Sequence, residues 1–222
     1  MLCFINPEQA RHAPRHEFFR GERVPCFERP ARAEFVEQAL RASGHMLRAP
    51  DADSAPQLAR IHTPRYLDFL RTAWDQWVAL DAGNAELQPF PSVWPVRTLR
   101  SDVEPVNFTA RLGLYSMDNG SPLAPGTWAA AKSGADAAAS AAQALLKGER
   151  GAFCATRPPG HHAGPDFMGG YCFLNNAAVA AQALRDGGAA RVAVLDVDYH
   201  HGNGTQAILY DRADVLFVSI HG

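Results

Sequence analysis

Gly151-Ala-Phe-Cys-Ala-Thr-Arg-Pro-Pro-Gly-His-His162 and Arg191-Val-Ala-Val-Leu-Asp-Val-Asp-Tyr-His-His-Gly-Asn-Gly-Thr205 decide the fold. Each is a short apolar run, Gly151 to Ala155 or Arg191 to Leu195, that ends in a loop carrying a histidine doublet. Short apolar runs alternating with longer helical patterns read as parallel strands joined by crossover helices, an α/β architecture. In such sheets ligands bind beyond the carboxyl ends of the strands, so the two loops are expected to meet in one crevice. A single His-His doublet is more often a solvated surface feature, and an aspartate at a strand end is often a cap or turn former. Two doublets, each following a strand and joined to Asp-x-Asp and to paired glycines, outweigh those readings and point to a metal-assisted hydrolase.

Within the second loop, Asp198 and His200 are two residues apart. In extended backbone their side chains leave on the same side and can share one ion. Asp196 lies on that side too, deeper in the strand, and suits a carboxylate that accepts the ring proton of a nearby histidine. Gly202 and Gly204 allow a sharp turn beside the site, and Thr205 is expected to cap the next helix.

The same residues carry a family resemblance. From Phe153 to Gly222 the chain resembles the zinc deacetylases of the arginase/deacetylase superfamily, on three strings: Arg157-Pro-Pro-Gly-His-His162, Gly169-Gly-Tyr-Cys-Phe-Leu-Asn-Asn176 and Asp196-Val-Asp-Tyr-His-His-Gly-Asn-Gly-Thr-Gln206. Upstream, Met1 to Ile5, Gly21-Glu-Arg-Val-Pro-Cys-Phe-Glu28, Trp94-Pro-Val-Arg97 and Pro125-Gly-Thr-Trp128 look like the bacterial acetylpolyamine amidohydrolases rather than histone deacetylases proper. The resemblance implies an arginase/deacetylase-like single domain over residues 1–222, a parallel sheet flanked by helices on both faces, with the C-terminal strands absent from this chain.

It further implies a Zn2+ ion, with Fe2+ as the alternative in cells, for which Asp198 and His200 are two ligands. His161 and His162 then flank the activated water, His162 as general base and His161 as electrostatic partner or proton donor to the leaving amine. Asp196 orients His161, and Asn203 faces His162. A carboxylate raises the basicity of its imidazole partner and a neutral amide does not, so His162 is expected to be the less basic. Gly170 and Tyr171 line a narrow substrate tunnel, where a flat ring grips methylenes by area burial. A structural K+ site would use the Asp196 and Ser219 side chains with the main-chain carbonyls of Asp198, His200 and Ile220.

The resemblance makes the proline- and aromatic-rich stretch at about 83–125 an insertion for homodimer formation and substrate selection. The family's substrate acids fall nearest Thr109 and Gly120 here, so Glu104 and Asp118 become the candidates for polyamine contacts, ahead of Glu86 and Asp102. Family members take their third zinc ligand, an aspartate, and an oxyanion-stabilising tyrosine from beyond the equivalent of Gly222. A catalytic zinc needs three protein ligands, and loss of one oxyanion donor alone costs about 3 to 4 kcal/mol, so residues 1–222 are expected to be inactive by themselves. The implied function is zinc-dependent deacetylation of small cationic amides such as acetylpolyamines. The other readings are a broader protein or acetyl-lysine deacetylase, and a non-catalytic interaction protein derived from one.

Composition adds exclusions. At 222 residues with 47% hydrophobic content the chain can bury a sizeable core, and a net charge of −2 gives no electrostatic case for nucleic acid or an acidic membrane. Cysteines 3, 26, 154 and 172 show no metal or disulfide spacing, which makes a reducing cytoplasm the default, and neither a signal peptide nor a membrane-length apolar run is visible. Met1 to Ile5 reads as the first strand. Helices are expected from Pro30 to Ser43, with Phe35, Val36, Ala39 and Leu40 at helical spacing, and from Pro64 to Leu80, with Tyr66, Leu67, Leu70, Trp74 and Trp77 as a core stripe. Further helices are expected over Thr127 to Lys147 and Asn175 to Arg185, and a strand over Val215 to Ile220.

Overall fold

The alternating pattern of short apolar runs and helices folds into two parallel ladders joined by helical crossovers. The computed structural model describes residues 1–96, 98, 100 and 102–222, so Arg97 of the Trp94–Arg97 string lies outside the described residues. In the first ladder β1 (Leu2–Ile5) is central, with β4 (Met46–Arg48) on one side and β5 (Ala152–Ala155) on the other. In the second, β6 (Val192–Asp196) pairs in parallel with β7 (Val215–Ser219), a register that sets Asp196 opposite Ser219. The two histidine loops therefore follow β5 and β6, at the carboxyl ends where parallel sheets place their sites.

Between β1 and β4 the chain forms an antiparallel hairpin, β2 (His16–Phe19) and β3 (Glu22–Pro25), that the sequence reading did not foresee. Its two-residue turn has positive φ at both Arg20 (53°) and Gly21 (85°), the requirement of a type I′ hairpin. Among the described residues seven α-helices surround the strands: α1 (Ala31–Ala42), α2 (Ala55–Ile61), α3 (Pro64–Leu80), α4 (Phe108–Leu114), α5 (Thr127–Leu146), α6 (Asn176–Asp186) and α7 (Asn203–Leu209). Helix α5 packs on β1, β5 and α6, and thirteen of its residues are buried, nearly all of them alanine, glycine or serine. Small side chains let its backbone approach β1, β5 and α6 at once, and larger ones would overpack those interfaces.

The main core lies between α3, α4, α5 and α6 and is filled by Tyr66, Phe69, Leu112, Tyr115, Phe173 and Val179. The α3 stripe is core as expected, with its centre on Tyr66, Phe69, Leu70 and Ala73, while Trp74 sits at the margin. Helix α4 lies within the 83–125 stretch, where no helix was read from the sequence: Asn107 caps it by accepting from Ala110 N, and Phe108 and Leu112, one turn apart, face the core. On α1 the apolar positions point outward instead, with Phe35 69% and Val36 41% exposed and only Ala33 buried. Among the described residues no helix is long and apolar enough to cross a membrane.

Two histidines are locked into this core as neutral rings. His62 Nδ1 donates to Gly164 O (2.8 Å), and its Nε2 accepts from Asn175 N (3.2 Å), while His12 Nδ1 lies 2.9 Å from Thr127 Oγ1. Burial, outweighing the carbonyl partners, lowers the His62 pKa to about 4; burial and the Arg157 charge lower that of His12 to about 3. As pH falls, the unfolded chain takes up these protons first, near 6.5. Their contribution is therefore complete above about pH 6.5 and is lost between that value and the folded pKa, about 3 kcal/mol for each by pH 4. Urea unfolding between pH 7 and 4.5 should show the decline, made shallower by His62→Gln; an unfolding free energy flat across that window would contradict it.

Candidate active site

The Arg157–His162 loop leaves β5 and crosses to the loop after β6 because the two backbones interlock. A side chain on Gly204 would place its Cβ 2.4 Å from Ala163 O and from His162 C, so only glycine fits where α7 begins. Thr205 N donates to His161 O (3.0 Å), and Asn175 Nδ2 donates to both Ala163 O and Thr205 Oγ1 (3.0 Å each). Thr205 is thus a buried tie inside α7, not the cap expected from sequence; the capping position is Gly202, without a side-chain bond. The Thr205 contact spends one of the free N–H groups of the first turn of α7 on the doublet loop.

The two rings of the first doublet lie with centroids 4.0 Å apart. His161 Nδ1 is 3.0 Å from Asp196 Oδ2, and a carboxylate only accepts, so that nitrogen carries the proton. His162 Nδ1 is 2.6 Å from Asn203 Oδ1. The orientation of the Asn203 amide is set from its other end, where Nδ2 donates to Met117 Sδ at 3.0 Å. His162 therefore donates from Nδ1 and presents an Nε2 lone pair. Burial lowers the His162 pKa, the charges of His161 and His200 add to the effect, and the Asn203 bond and Asp118 oppose it. Met117 carries no sequence motif, and nothing in the chain alone signalled it.

Asp198 and His200 are brought together, though not through extended backbone. After β6 the chain bends, and Asp198 Oδ1 accepts from His200 N (2.8 Å), which leaves His200 Nδ1 3.4 Å from the same oxygen. An aspartate side chain that bonds the backbone two residues on favours a turn over a strand, the physical reason for the difference. Backbone bonding and the two imidazoles hold the Asp198 pKa below its usual value against a burial effect of opposite sign, so the carboxylate is ionised. His161 Nε2 lies 3.8 Å from Asp198 Oδ1, which puts the first doublet at the edge of this pair. The donors are one carboxylate and one imidazole, the chemistry a zinc ion takes, but two rather than three. Among the described residues no group of three or more His, Cys, Asp or Glu side chains is arranged to hold a metal.

The remaining expected residues divide. Asp196 and Ser219 are neighbours across β6 and β7, but Asp196 Oδ1 accepts from Asp198 N (3.1 Å), and Ser219 Oγ lies 2.9 Å from His221 Nδ1. Gly170 lies beside His162: a Cβ on Gly170 would come within 2.3 Å of His162 Cδ2. The Tyr171 hydroxyl donates to Glu17 Oε1 (2.8 Å), a buried carboxylate of the unforeseen hairpin. Glu104 pairs with Arg111 at 3.6 Å. Asp118 accepts from Gly170 N at 3.0 Å and from Gly120 N at 2.8 Å, so both candidate polyamine acids are engaged by the chain itself. Thr109 lies within α4.

Residues 26–222 match the histone deacetylase domain. The chain belongs to the histone deacetylase family. This family member is 50% identical over 223 residues to acetylpolyamine amidohydrolase 2 of Pseudomonas aeruginosa, a match that covers 100% of this chain and 64% of that relative. It is 43% identical over 222 residues to the acetylpolyamine amidohydrolase of Mycoplana ramosa, again with 100% and 64% covered. The crystal structure of acetylpolyamine aminohydrolase from Burkholderia pseudomallei superimposes on it with a TM-score of 0.91 at 39% identity, over 100% of this chain and 63% of that one. The chain thus spans about 64% of the length of the curated relatives it matches. The fold expected from the histidine strings is the fold observed.

Proposed function

We propose that this histone deacetylase family member contributes the proton-transfer half of a deacetylase acting on small acetylated amines, acetylpolyamines among them. One observation carries the reading: two adjoining imidazoles, each with Nδ1 committed to a different partner, stand beside an Asp198–His200 pair. The names of the relatives supply the substrate class. Hydrolysis of an amide needs a base for the attacking water and an acid for the leaving amine, and the unlike partners separate those tasks. His162, neutral because burial disfavours its charged form, takes the water proton at Nε2. His161, with Asp196 accepting from Nδ1, acts as the imidazolium: it carries a second proton on Nε2, and that proton passes to the departing nitrogen.

Zinc, with iron as its cellular alternative, would be held by Asp198 and His200 together with a donor from outside residues 1–222, and would supply Lewis acidity at the acetyl carbonyl. A potassium ion near Asp196 and Ser219, a homodimer and a cytoplasmic location belong to the same reading, the last supported by four free cysteines. A broader acetyl-lysine deacetylase is the second reading, favoured because Glu104 and Asp118 already have partners within the chain.

The test is metal content and turnover of the full-length protein on N-acetylputrescine and on an acetyl-lysine peptide. Stoichiometric zinc with acetylputrescine hydrolysed at least tenfold more efficiently is the expected outcome. Preference for the peptide moves the assignment to the second reading. Zinc without turnover of either overturns both.

A further inference from the structure

We propose that Asp118 is a positioning residue for His162, acting through the backbone of Gly170. The inference rests on the deacetylase reading and concerns a residue whose sequence context suggested direct contact with substrate. Gly170 and Tyr171 both lie in the left-handed region, at φ +51° and +68°. For tyrosine that conformation is disfavoured, and it persists only where the surroundings over-determine it. Three contacts do so. Gly169 and Cys172 exchange backbone hydrogen bonds (3.2 and 2.8 Å) that close the turn; the Tyr171 hydroxyl is tied to Glu17; and the Asp118 carboxylate accepts from Gly170 N, at 3.0 Å through Oδ2 and 3.3 Å through Oδ1.

Asp118 is itself held in place. Met117 N donates to Met168 O (2.9 Å) and Met168 N to Tyr115 O (2.8 Å), so residues 115–118 run alongside the strand-like start of the Gly169–Gly170 turn. Asp118 Oδ1 also accepts from Gly120 N, which fixes the carboxylate rotamer. The consequence falls on the base. Gly170 Cα faces the His162 ring so closely that any Cβ would collide with Cδ2, and the ring is therefore confined between this backbone and the Asn203 amide. Releasing Gly170 N–H removes one of those two walls, and displacement of a catalytic group by about 1 Å costs on the order of 100-fold in rate.

Asp118→Ala in the full-length, metal-loaded protein should lower kcat about 10- to 100-fold, and by the same factor for N-acetylputrescine and for the uncharged N-pentylacetamide of equal length. Asp118→Asn keeps an acceptor oxygen and should recover most of that loss. The Gly170-containing segment should exchange its amide hydrogens at least tenfold faster in the alanine variant than in wild type or the asparagine variant. A loss confined to the cationic substrate, appearing as raised KM and not rescued by asparagine, would overturn the proposal in favour of an ammonium contact. Unchanged exchange in Asp118→Ala would overturn it as well. If the wild-type protein hydrolyses neither amide, the deacetylase reading fails while the exchange comparison still decides whether Asp118 braces Gly170.

Discussion

Replacing His162 with alanine should lower kcat of the full-length, metal-loaded protein for N-acetylputrescine about 1,000-fold, with KM changed less than about threefold and metal content unchanged. The magnitude follows from losing a positioned general base, worth roughly 100- to 10,000-fold. His162 is suited to that role by two independent features. Donation from Nδ1 to Asn203 Oδ1 fixes the tautomer, leaving the Nε2 lone pair free for a proton. Burial lowers its pKa, so the ring is neutral at pH 7 and already able to accept. KM is spared because the ring moves a proton in the transition state and is not asked to bind the ground-state amide. Residual turnover above a tenth of wild type would exclude His162 as the base, and loss of bound metal would make it a ligand.

How much of this was legible in the chain depended on whether the deciding interaction is local in sequence. The β5 and β6 strands and the doublets that follow them announce themselves, since apolar runs and histidine strings are contiguous and the carboxyl-end rule then brings the loops together. Helices α3 and α5 were legible for the same reason, through period and composition. The hairpin was hidden because its turn is Arg20-Gly21, without the asparagine or aspartate that usually marks a type I′ turn. Helix α4 has only seven residues, too few for a period to stand out, and depends on burying Phe108 and Leu112 against α3 and α5. Met117 and Glu17 reach the site through contacts with Asn203 and Tyr171, 86 and 154 residues away, and no spacing rule reaches that far. The partners of Asp118 and Glu104 were equally invisible, and so the resemblance offered them as free acids.

The same distance effect governs the second large expectation, which concerns stability. Glu28→Ala should destabilise the protein by about 3 to 5 kcal/mol, because it strands the Arg157 guanidinium in the interior. Both side chains are only 3% exposed, and Arg157 Nε lies 2.8 Å from Glu28 Oε1. The pair joins the segment after the hairpin to the start of the first histidine loop, and Arg157 Nη1 donates to Gln9 O (2.6 Å) behind it. The pairing is close but imperfect: burial raises the Glu28 pKa although Arg157 opposes it, and Glu28 Oε2 has no hydrogen-bond partner among the described residues. Desolvation therefore cancels much of the Coulombic attraction, and the pair as a whole contributes little net stability. The asymmetry gives the decisive comparison. Glu28→Gln with Arg157→Met removes both charges at similar volume and should lie within about 1.5 kcal/mol of wild type in urea unfolding, far above the single Glu28→Ala variant. If the single variant loses less than about 1 kcal/mol, Arg157 is satisfied by its carbonyl partners without Glu28. If the double variant falls as far as the single, the pair holds the hairpin to the loop by more than charge neutralisation.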